Sequence, residues 1–398
     1  MKVLVVVPAL GPVYGGPSII VPALAAALAE QGIAVDVAAT DANGEERIDL
    51  PTSVWLEHAG YRTGYFRRLG TAEYKLSSSL LVWLIRHVHD YQVVHAVSMF
   101  NFPILACAIA CRLRRVPLIL NPQGMLEPWA LRQSRRKKLL YYKLIEKPIV
   151  LRGATAIHAL TAGEARNIAK LDPKSEPFVI PNGVDVDLPE NDANDAEEFF
   201  KQYPAARNKK LILFLHRIHP KKGLDLLARA FALVRKRYPE TYLTVAGPDL
   251  NNFGSLARKF FEDEGCGENV VFTGMLQGKM KRAAFSAASI FVAPSYSEGF
   301  SMSILEAMAA GLPCVMTTVC NFPEAASAGA ALEVAVDAAA FAAALTNLIE
   351  NPTEAEAIGR RARRLICDNY SWQQIAKQIG SVYDAIISQR AVPYSSIH

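Results

Sequence analysis

The sequence predicts an α/β protein built from two doubly wound domains, and three observations lead there. Short apolar runs such as Lys2–Val7, Lys210–Leu215 and Ser289–Ala293 have the length of buried parallel strands and alternate with helical stretches. At 398 residues the chain exceeds one ordinary core and suits two domains of about 200 residues each. Between them Leu188–Ala196 is acidic, Asn-rich and poor in apolar residues, and a fresh strand–helix series begins beyond it. With 51% hydrophobic and 20% charged residues the composition is that of a soluble globular protein. No apolar run approaches the ~18–20 residues of a membrane span. The first run breaks at Gly11-Pro12, so it reads as a strand rather than a leader. Six cysteines without a C-x-x-C spacing read as reduced, mostly buried thiols of a cytosolic protein, with metal ligation by Cys107 and Cys111 a remote alternative.

In the front half, the Lys2–Val7 strand leads through Gly11-Pro12-Val13-Tyr14-Gly15-Gly16-Pro17 into a helix over Ser18–Gln31 and a strand over Ile33–Ala38. The loop lacks G-x-G-x-x-G, which argues against a dinucleotide oxidoreductase. Gly15 and Gly16 at the helix start still let backbone approach an anion closely, although a plain turn explains them too. Asp41–Gly70 reads as irregular and polar apart from a short strand at Val54–Glu57. Helices over Ala72–His89 and Pro103–Arg114 precede strands over Gln92–Ala96 and Val116–Leu120. Gln123-Gly124 lies at a strand's carboxyl end, where open α/β sheets hold ligands. His95 and His158 lie in or after short strands and are acceptor-side candidates, with a structural role the competing reading. A helix over Ala162–Lys170 and a strand over Phe178–Ile180 complete the domain.

Residues 1–180 hold 21 Lys+Arg against 14 Asp+Glu, and eight of those cations crowd into Arg132–Arg152. The segment reads as a helix whose cations could attract anionic headgroups or a lipid-pyrophosphate acceptor. The competing reading is a solvated face packed by Leu140, Leu144 and Ile145. No nucleic-acid recognition motif accompanies it.

The second domain opens with the Lys210–Leu215 strand and His216-Arg217-Ile218-His219-Pro220-Lys221-Lys222-Gly223 at its end. Arg217 and Lys222 can converge there on one diphosphate, the guanidinium as a planar fork and the ammonium as a point charge. Strands over Thr241–Ala246 and Asn269–Phe272 end at Gly247 and at Gly274-Met275-Leu276. A P-loop is absent. The richest stretch is Pro294-Ser295-Tyr296-Ser297-Glu298-Gly299-Phe300-Ser301-Met302-Ser303-Ile304-Leu305-Glu306, which turns from a buried strand into a helix ending at Gly311. Strand, glycine turn and helix start aim unpaired N–H groups into one crevice. Two carboxylates beside it would repel bare phosphate, so they should face neutral hydroxyls. A sugar nucleotide has both parts. The competing reading makes Ser303–Glu306 a capping box. Pro313–Met316 and Ala330–Val334 read as strands, with helices over Ala338–Glu350, Glu354–Asn369 and Trp372–Gln389.

Glu298 and Glu306 resemble the E-x7-E signature of the retaining glycosyltransferases of family 4, and Arg217 and Lys222 resemble its R-x4-K-G. Pro181-Asn182-Gly183-Val184-Asp185 is similar to the family's hinge, so the D-x-D at Asp185–Asp187 is not taken as a metal site. The resemblance implies the GT-B fold, two Rossmann-like domains facing across a cleft. Residues 1–184 would form the acceptor side, with helix 372–398 packing back on it, and residues 185–371 the donor domain. It further implies that Glu298 contacts the donor sugar and Glu306 the ribose. Gly15 and Gly16 would meet the diphosphate, and backbone at Gly247, Met275 and Leu276 would cradle the base. Gly299, Phe300, Ser301, Met302 and Ser303 would form the anion-binding turn. Where many members carry a charged residue before a glycine, this chain has Gln123-Gly124.

The implied activity is retaining, metal-independent transfer of a hexose from a UDP- or GDP-sugar to a glycan or polyprenyl-linked acceptor in polysaccharide biosynthesis. The expected location is cytoplasmic, with peripheral membrane contact through residues 132–152. A GT-B sugar-nucleotide epimerase and a non-catalytic two-domain sugar-binding protein remain the alternatives.

Overall fold

The computed structural model describes residues 1–52, 54–128, 139–186, 193–249 and 252–394. Two compact units emerge, one formed by Met1–Gly183 with Trp372–His398, the other by Val184–Ser371.

The first unit contains β1 (Lys2–Ala9), β2 (Ala34–Thr40), the two-residue β3 (Ala42–Asn43) and β4 (Glu46–Arg47), β5 (Trp55–Glu57) and β6 (Tyr61–Phe66). It continues with β7 (Val93–Val97), β8 (Leu118–Asn121), β9 (Ala156–Ala159) and β10 (Pro177–Val179). Its main sheet runs β10-β9-β8-β7-β1-β2-β6-β5. Among the described residues of this sheet only the edge strand β5 is antiparallel to its neighbour. Side chains of β1 alternate between two apolar layers, which is why its sequence shows no polar face. Val3, Val5 and Val7 pack with Val21 and Leu28 of the Gly16–Glu30 helix and with Ile375 and Ile379 of the Trp372–Ile387 helix. Leu4 and Val6 pack on the other face with Leu80, Leu84 and Ile104. Helix starts are set by side-chain caps, Asn101 accepting from the Ile104 N–H and Thr161 from that of Glu164.

Asp41–Gly70 is not irregular, because β6 lies parallel to β2. Its sequence Tyr-Arg-Thr-Gly-Tyr-Phe has no apolar run to betray it, and its partners supply the missing order. Arg62 forks onto Asp36 at 2.5 and 2.9 Å, and the Tyr91 hydroxyl donates to the same carboxylate at 2.5 Å. Burial alone would raise the Asp36 carboxyl, but these donors hold it below its ordinary range. The expected Ala72–His89 helix begins only at Ser78, because the Ser77 hydroxyl caps it and Lys75 is left-handed at φ 55°.

Of the basic segment, residues 129–138 lie outside the described residues. Beyond them Tyr142–Leu151 is a π-helix containing Pro148. Leu139, Leu140 and Leu144 are exposed while Tyr142, Glu146 and Val150 are buried. The competing reading, a face packed by Leu140, Leu144 and Ile145, therefore holds only in part: Ile145 is half-buried, and the buried face is Tyr142, Glu146 and Val150, spaced four apart. The interdomain stretch is likewise only partly described, residues 187–192 with Asp187 lying outside. A helix over Ala193–Gln202 already occupies the end of the expected linker.

A buried polar chain ties the C-terminal helix to this sheet. The Tyr383 hydroxyl is 2.8 Å from His95 Nδ1, His95 Nε2 is 3.3 Å from His158 Nδ1, and His158 Nε2 is 2.6 Å from the Ile180 carbonyl. The Asn121 amide nitrogen also reaches His158 Nδ1 at 2.7 Å. The contacts assign both histidines the tautomer that donates from Nε2 and accepts at Nδ1, with His158 Nδ1 accepting chiefly from Asn121 and sharing its one lone pair with the longer His95 contact. Burial holds both rings neutral, His158 at about 4.

The second unit is a six-stranded parallel sheet of β11 (Lys210–Leu215), β12 (Thr241–Ala246), β13 (Val270–Gly274), β14 (Ile290–Ala293), β15 (Cys314–Thr317) and β16 (Leu332–Val334). Its order is β13-β12-β11-β14-β15-β16. Ile212 and Phe214 enter one apolar layer and Leu211 and Leu213 the other. The winding direction reverses between β11 and β14, and such a reversal opens a crevice at the strands' carboxyl ends.

Replacing Tyr383 by Phe should leave His95 Nδ1 buried without a donor. Urea denaturation should show a loss of about 1–3 kcal/mol, with His95→Phe added to the variant recovering part of it.

Candidate functional site

Four loops at the carboxyl ends of the second sheet's strands, those after β11, β12, β14 and β15, are joined by direct contacts at the end where Glu298 lies. After β11, His219 accepts from the Lys221 N–H and starts a short 3-10 turn over Pro220–Lys222. Gly223 then turns at φ 69°, and a Cβ there would run into the Pro294 carbonyl. Gly247, at φ 148°, lies so close to the His216 carbonyl that a Cβ would overlap it. Both glycines let neighbouring strand-end loops touch backbone to backbone. The Glu298 turn is fastened to the loop after β15: its N–H donates to the Val319 carbonyl at 3.1 Å, and Asn321 donates to its carbonyl at 2.6 Å. Thr317 Oγ1 donates to the Ser295 carbonyl at 2.6 Å.

These constraints place Lys222 and Glu298 in a close ion pair, with side chains only 8% and 5% exposed. Ser295 Oγ donates to the same carboxylate oxygen at 2.7 Å. Burial would raise the Glu298 carboxyl, but the Lys222 ammonium and the Ser295 donor bring it down to about 2. His216, packed against Phe214 and Phe291, places Nδ1 3.5 Å from the Lys222 ammonium and 2.8 Å from Ser303 Oγ. Burial first, then Lys222, lower its pKa to about 3, so the ring is neutral. Lys221 is half-buried, and its pKa is lowered by that burial.

Ser303 lies in the first turn of the Met302–Ala309 helix, whose start at Ser301 has no side-chain cap. The capping-box reading therefore fails: Ser303 bonds to His216 and Ser301, while Glu306 Oε1 takes the Lys281 ammonium at 2.7 Å. The first-turn N–H groups are left for an anion. Arg217 is exposed and makes no hydrogen bond or ion pair among the described residues. Gly299 and Phe300 are partly exposed, and Ser301 is buried. Phe300 stacks on Tyr370 and meets Phe322 edge-on. Met275 is exposed and Leu276 half-buried at the end of β13.

The structure thus brings Lys222, Glu298, Ser303 and Gly247 to one sheet end, with Glu306 farther along the helix. Sequence reasoning missed the residues that hold them. His216 stood inside the quoted run without a role, and Lys281 stood in an ordinary Gly-Lys-Met-Lys-Arg helix start. Among the described residues no group of three or more His, Cys, Asp or Glu is placed to hold a metal ion. The six cysteines are free thiols.

In the first unit, Gly15 turns at φ 67° with open space at its Cβ position, and Gly16 begins a helix without a side-chain cap. Gln123 is left-handed at φ 54°, and its N–H donates to Asn121 at 3.1 Å. The Gly124 N–H donates to Glu164 at 2.6 Å, and the other oxygen of that carboxyl accepts from the Leu160 N–H at 2.8 Å. Burial pushes the Glu164 carboxyl up to about 7. His95 and His158 are corrected as acceptor candidates: both are buried in the sheet and their ring nitrogens are engaged there.

Comparison with known proteins adds to this geometry. Residues 195–365 match the model of glycosyl transferases group 1, and residues 14–188 match that of glycosyltransferase family 4. A GDP-mannose-dependent α-(1-6)-phosphatidylinositol monomannoside mannosyltransferase from Mycolicibacterium smegmatis is 30% identical over 49% of this chain and 52% of its own. A D-inositol 3-phosphate glycosyltransferase from Paenarthrobacter aurescens is 25% identical over 95% of each chain. The chain spans about half the length of the first of these relatives and nearly all of the second. Among solved structures, sucrose-phosphate synthase from Thermosynechococcus elongatus superposes with TM-score 0.77 at 22% identity, covering 98% of this chain and 100% of that one. Anabaena HepE in complex with UDP and glucose gives TM-score 0.77 at 19% identity, covering 97% of this chain and 100% of that one. These likenesses show the GT-B fold, two Rossmann-like units on one chain.

Acid should weaken the second unit through Glu298. Its folded-state pKa is depressed, so its contribution is complete above the ordinary value of 4.5 and is lost as pH falls toward about 2. Stability measured by denaturant between pH 5 and 2 should decline over that window, and Glu298→Gln should remove that part of the decline.

Proposed function

The chain belongs to glycosyltransferase family 4, and on that premise we propose that it transfers a hexose, with retention of configuration, from a UDP- or GDP-sugar. The observation that carries this reading is the buried Lys222–Glu298 pair beside an uncapped helix start, at the switch point of the second sheet. The diphosphate sits at the Met302–Ala309 helix N-terminus with Arg217 and Lys222 as its cations. Glu298 accepts from sugar hydroxyls and Glu306 from the ribose. Met275 and Leu276 with Gly247 offer backbone to the base.

Breaking the anomeric C–O bond sends its electron pair to the diphosphate and leaves positive charge on the sugar. The helix end and the two cations stabilise the departing anion. The acceptor oxygen bonds to the anomeric carbon on the same face, and its proton passes to the departing phosphate oxygen. This same-face displacement requires no carboxylate nucleophile, unlike a two-step route. Because these protein groups neutralise the diphosphate, turnover needs no divalent ion. The acceptor is a glycan or polyprenyl-linked glycan of polysaccharide assembly, and the relatives that act on phosphatidylinositol mannosides favour a lipid-linked class.

No helix among the described residues is long and apolar enough to cross a membrane. Contact with the cytoplasmic leaflet runs instead through residues 132–152, where exposed Leu139, Leu140 and Leu144 accompany the cations.

A screen of nucleotide sugars for thermal stabilisation and slow hydrolysis tests the donor class. With the donor so found, turnover should persist in EDTA, Glu298→Ala should lose about two to three orders of magnitude in kcat, and Arg217→Ala should raise the donor KM. Undiminished turnover by a folded Glu298→Ala protein would overturn the assignment. In flotation assays the chain should bind vesicles containing phosphatidylglycerol and not pure phosphatidylcholine. Leu140→Ser with Leu144→Ser should reduce that binding several-fold.

A further inference from the structure

Two carboxylates stand on the Glu298–Glu306 stretch, and each is held by one lysine. Glu298 has Lys222, and Glu306 has Lys281. The second pair comes from an element that makes no other described bond to Glu306, the Gly278–Ala287 helix following β13. Its neighbouring cations point elsewhere. Lys279 bonds to Glu198 at 2.7 Å and Arg282 lies 3.9 Å from Asp195, both on the Ala193–Gln202 helix. Positions 279 and 282 are three apart and share a helix face, while 281 lies on another. The helix is therefore anchored on one side and sends one ammonium to Glu306 on the other.

We propose that Lys281 is a positioning residue for nucleotide recognition, fixing the Glu306 carboxylate so that its second oxygen accepts from a ribose hydroxyl. The inference rests on the donor reading given above. The Glu306 and Lys281 side chains are 17% and 25% exposed, so the pair is shielded enough to hold its geometry yet reachable by a ligand. Lys281 occupies Oε1 only, and no described residue bonds to Oε2. A carboxylate so held presents a fixed acceptor for a hydroxyl, and a hydroxyl hydrogen bond to a charged group discriminates strongly against the analogue lacking it. The ammonium also cancels the Glu306 charge, so an arriving diphosphate meets no bare anion at that position. The helix that carries Lys281 begins three residues after Met275, so base contacts and ribose contact are built from one loop–helix segment.

Titration calorimetry of the full chain reads this directly, with UDP and GDP each beside its 2′-deoxy and 3′-deoxy counterparts. The wild type should favour one ribonucleotide over a deoxy form by about tenfold. Lys281→Met should bring that ratio close to one, Lys281→Arg should restore most of it, and Glu306→Gln should lose it. Adding Lys281→Met to Glu306→Gln should cost nothing further in the ratio. A folded Lys281→Met protein with the wild-type ratio would overturn the inference, as would additive losses in the double variant. Should the methionine variant not fold, Lys281→Gln takes its place in the same comparison. A wild type that binds neither UDP nor GDP would instead overturn the donor reading, and one that binds without ribose preference would overturn the role of Glu306.

Discussion

A lysine and a glutamate shut away from water at the end of a parallel sheet form the constraint on which the second unit's chemistry depends. Neither charge is tolerable there alone, since an unpaired buried ion costs several kcal/mol. Their pairing offsets that cost, with Ser295 donating to the carboxylate and the neutral ring of His216 beside the ammonium. That mutual need fixes the positions of two loops, one after β11 and one after β14. Gly223 and Gly247 then close the remaining backbone contacts, because no side chain fits between the strand ends.

The pairing also resolves an electrostatic conflict within the stretch. A helix start that welcomes an anion stands beside two carboxylates, which would repel the same anion. Lys222 and Lys281 each lie against one of them, so an arriving anion meets cations beside both carboxylates, and the helix N-terminus, Arg217 and Lys221 add to the same field. Ordinary surface ion pairs contribute little to stability. These two contribute placement: they decide which carboxylate oxygens remain open and in which direction they face.

The first unit spends its buried polar groups differently. His95, His158, Asn121 and Tyr383 close a chain that joins β7, β8 and β9 to the C-terminal helix. Glu164 holds Gly124 and Leu160 from below, so the left-handed Gln123 turn is pinned by a carboxyl whose protonation lies near neutrality. These groups shape the sheet's rim without facing it.

The amino-acid sequence alone determined the alternation of strands and helices, the two-unit composition, and the Glu298–Glu306 and Arg217–Lys222 spacings. Those signals are local: apolar runs, glycine turns and fixed intervals along the chain. Strand β6 escaped because its order comes from Asp36, 26 residues earlier, and not from its own polarity. His95 and His158 looked available because a strand-end histidine reads the same whether its ring faces solvent or a tyrosine 288 residues away. Glu306 looked free to cap its own helix, and only packing revealed that Lys281 holds it. Which partner a titratable side chain meets depends on how distant segments fold together, and a linear pattern carries no such information. Spacing along the chain therefore reached the choice of residues, while their charge state and orientation were decided by tertiary contact.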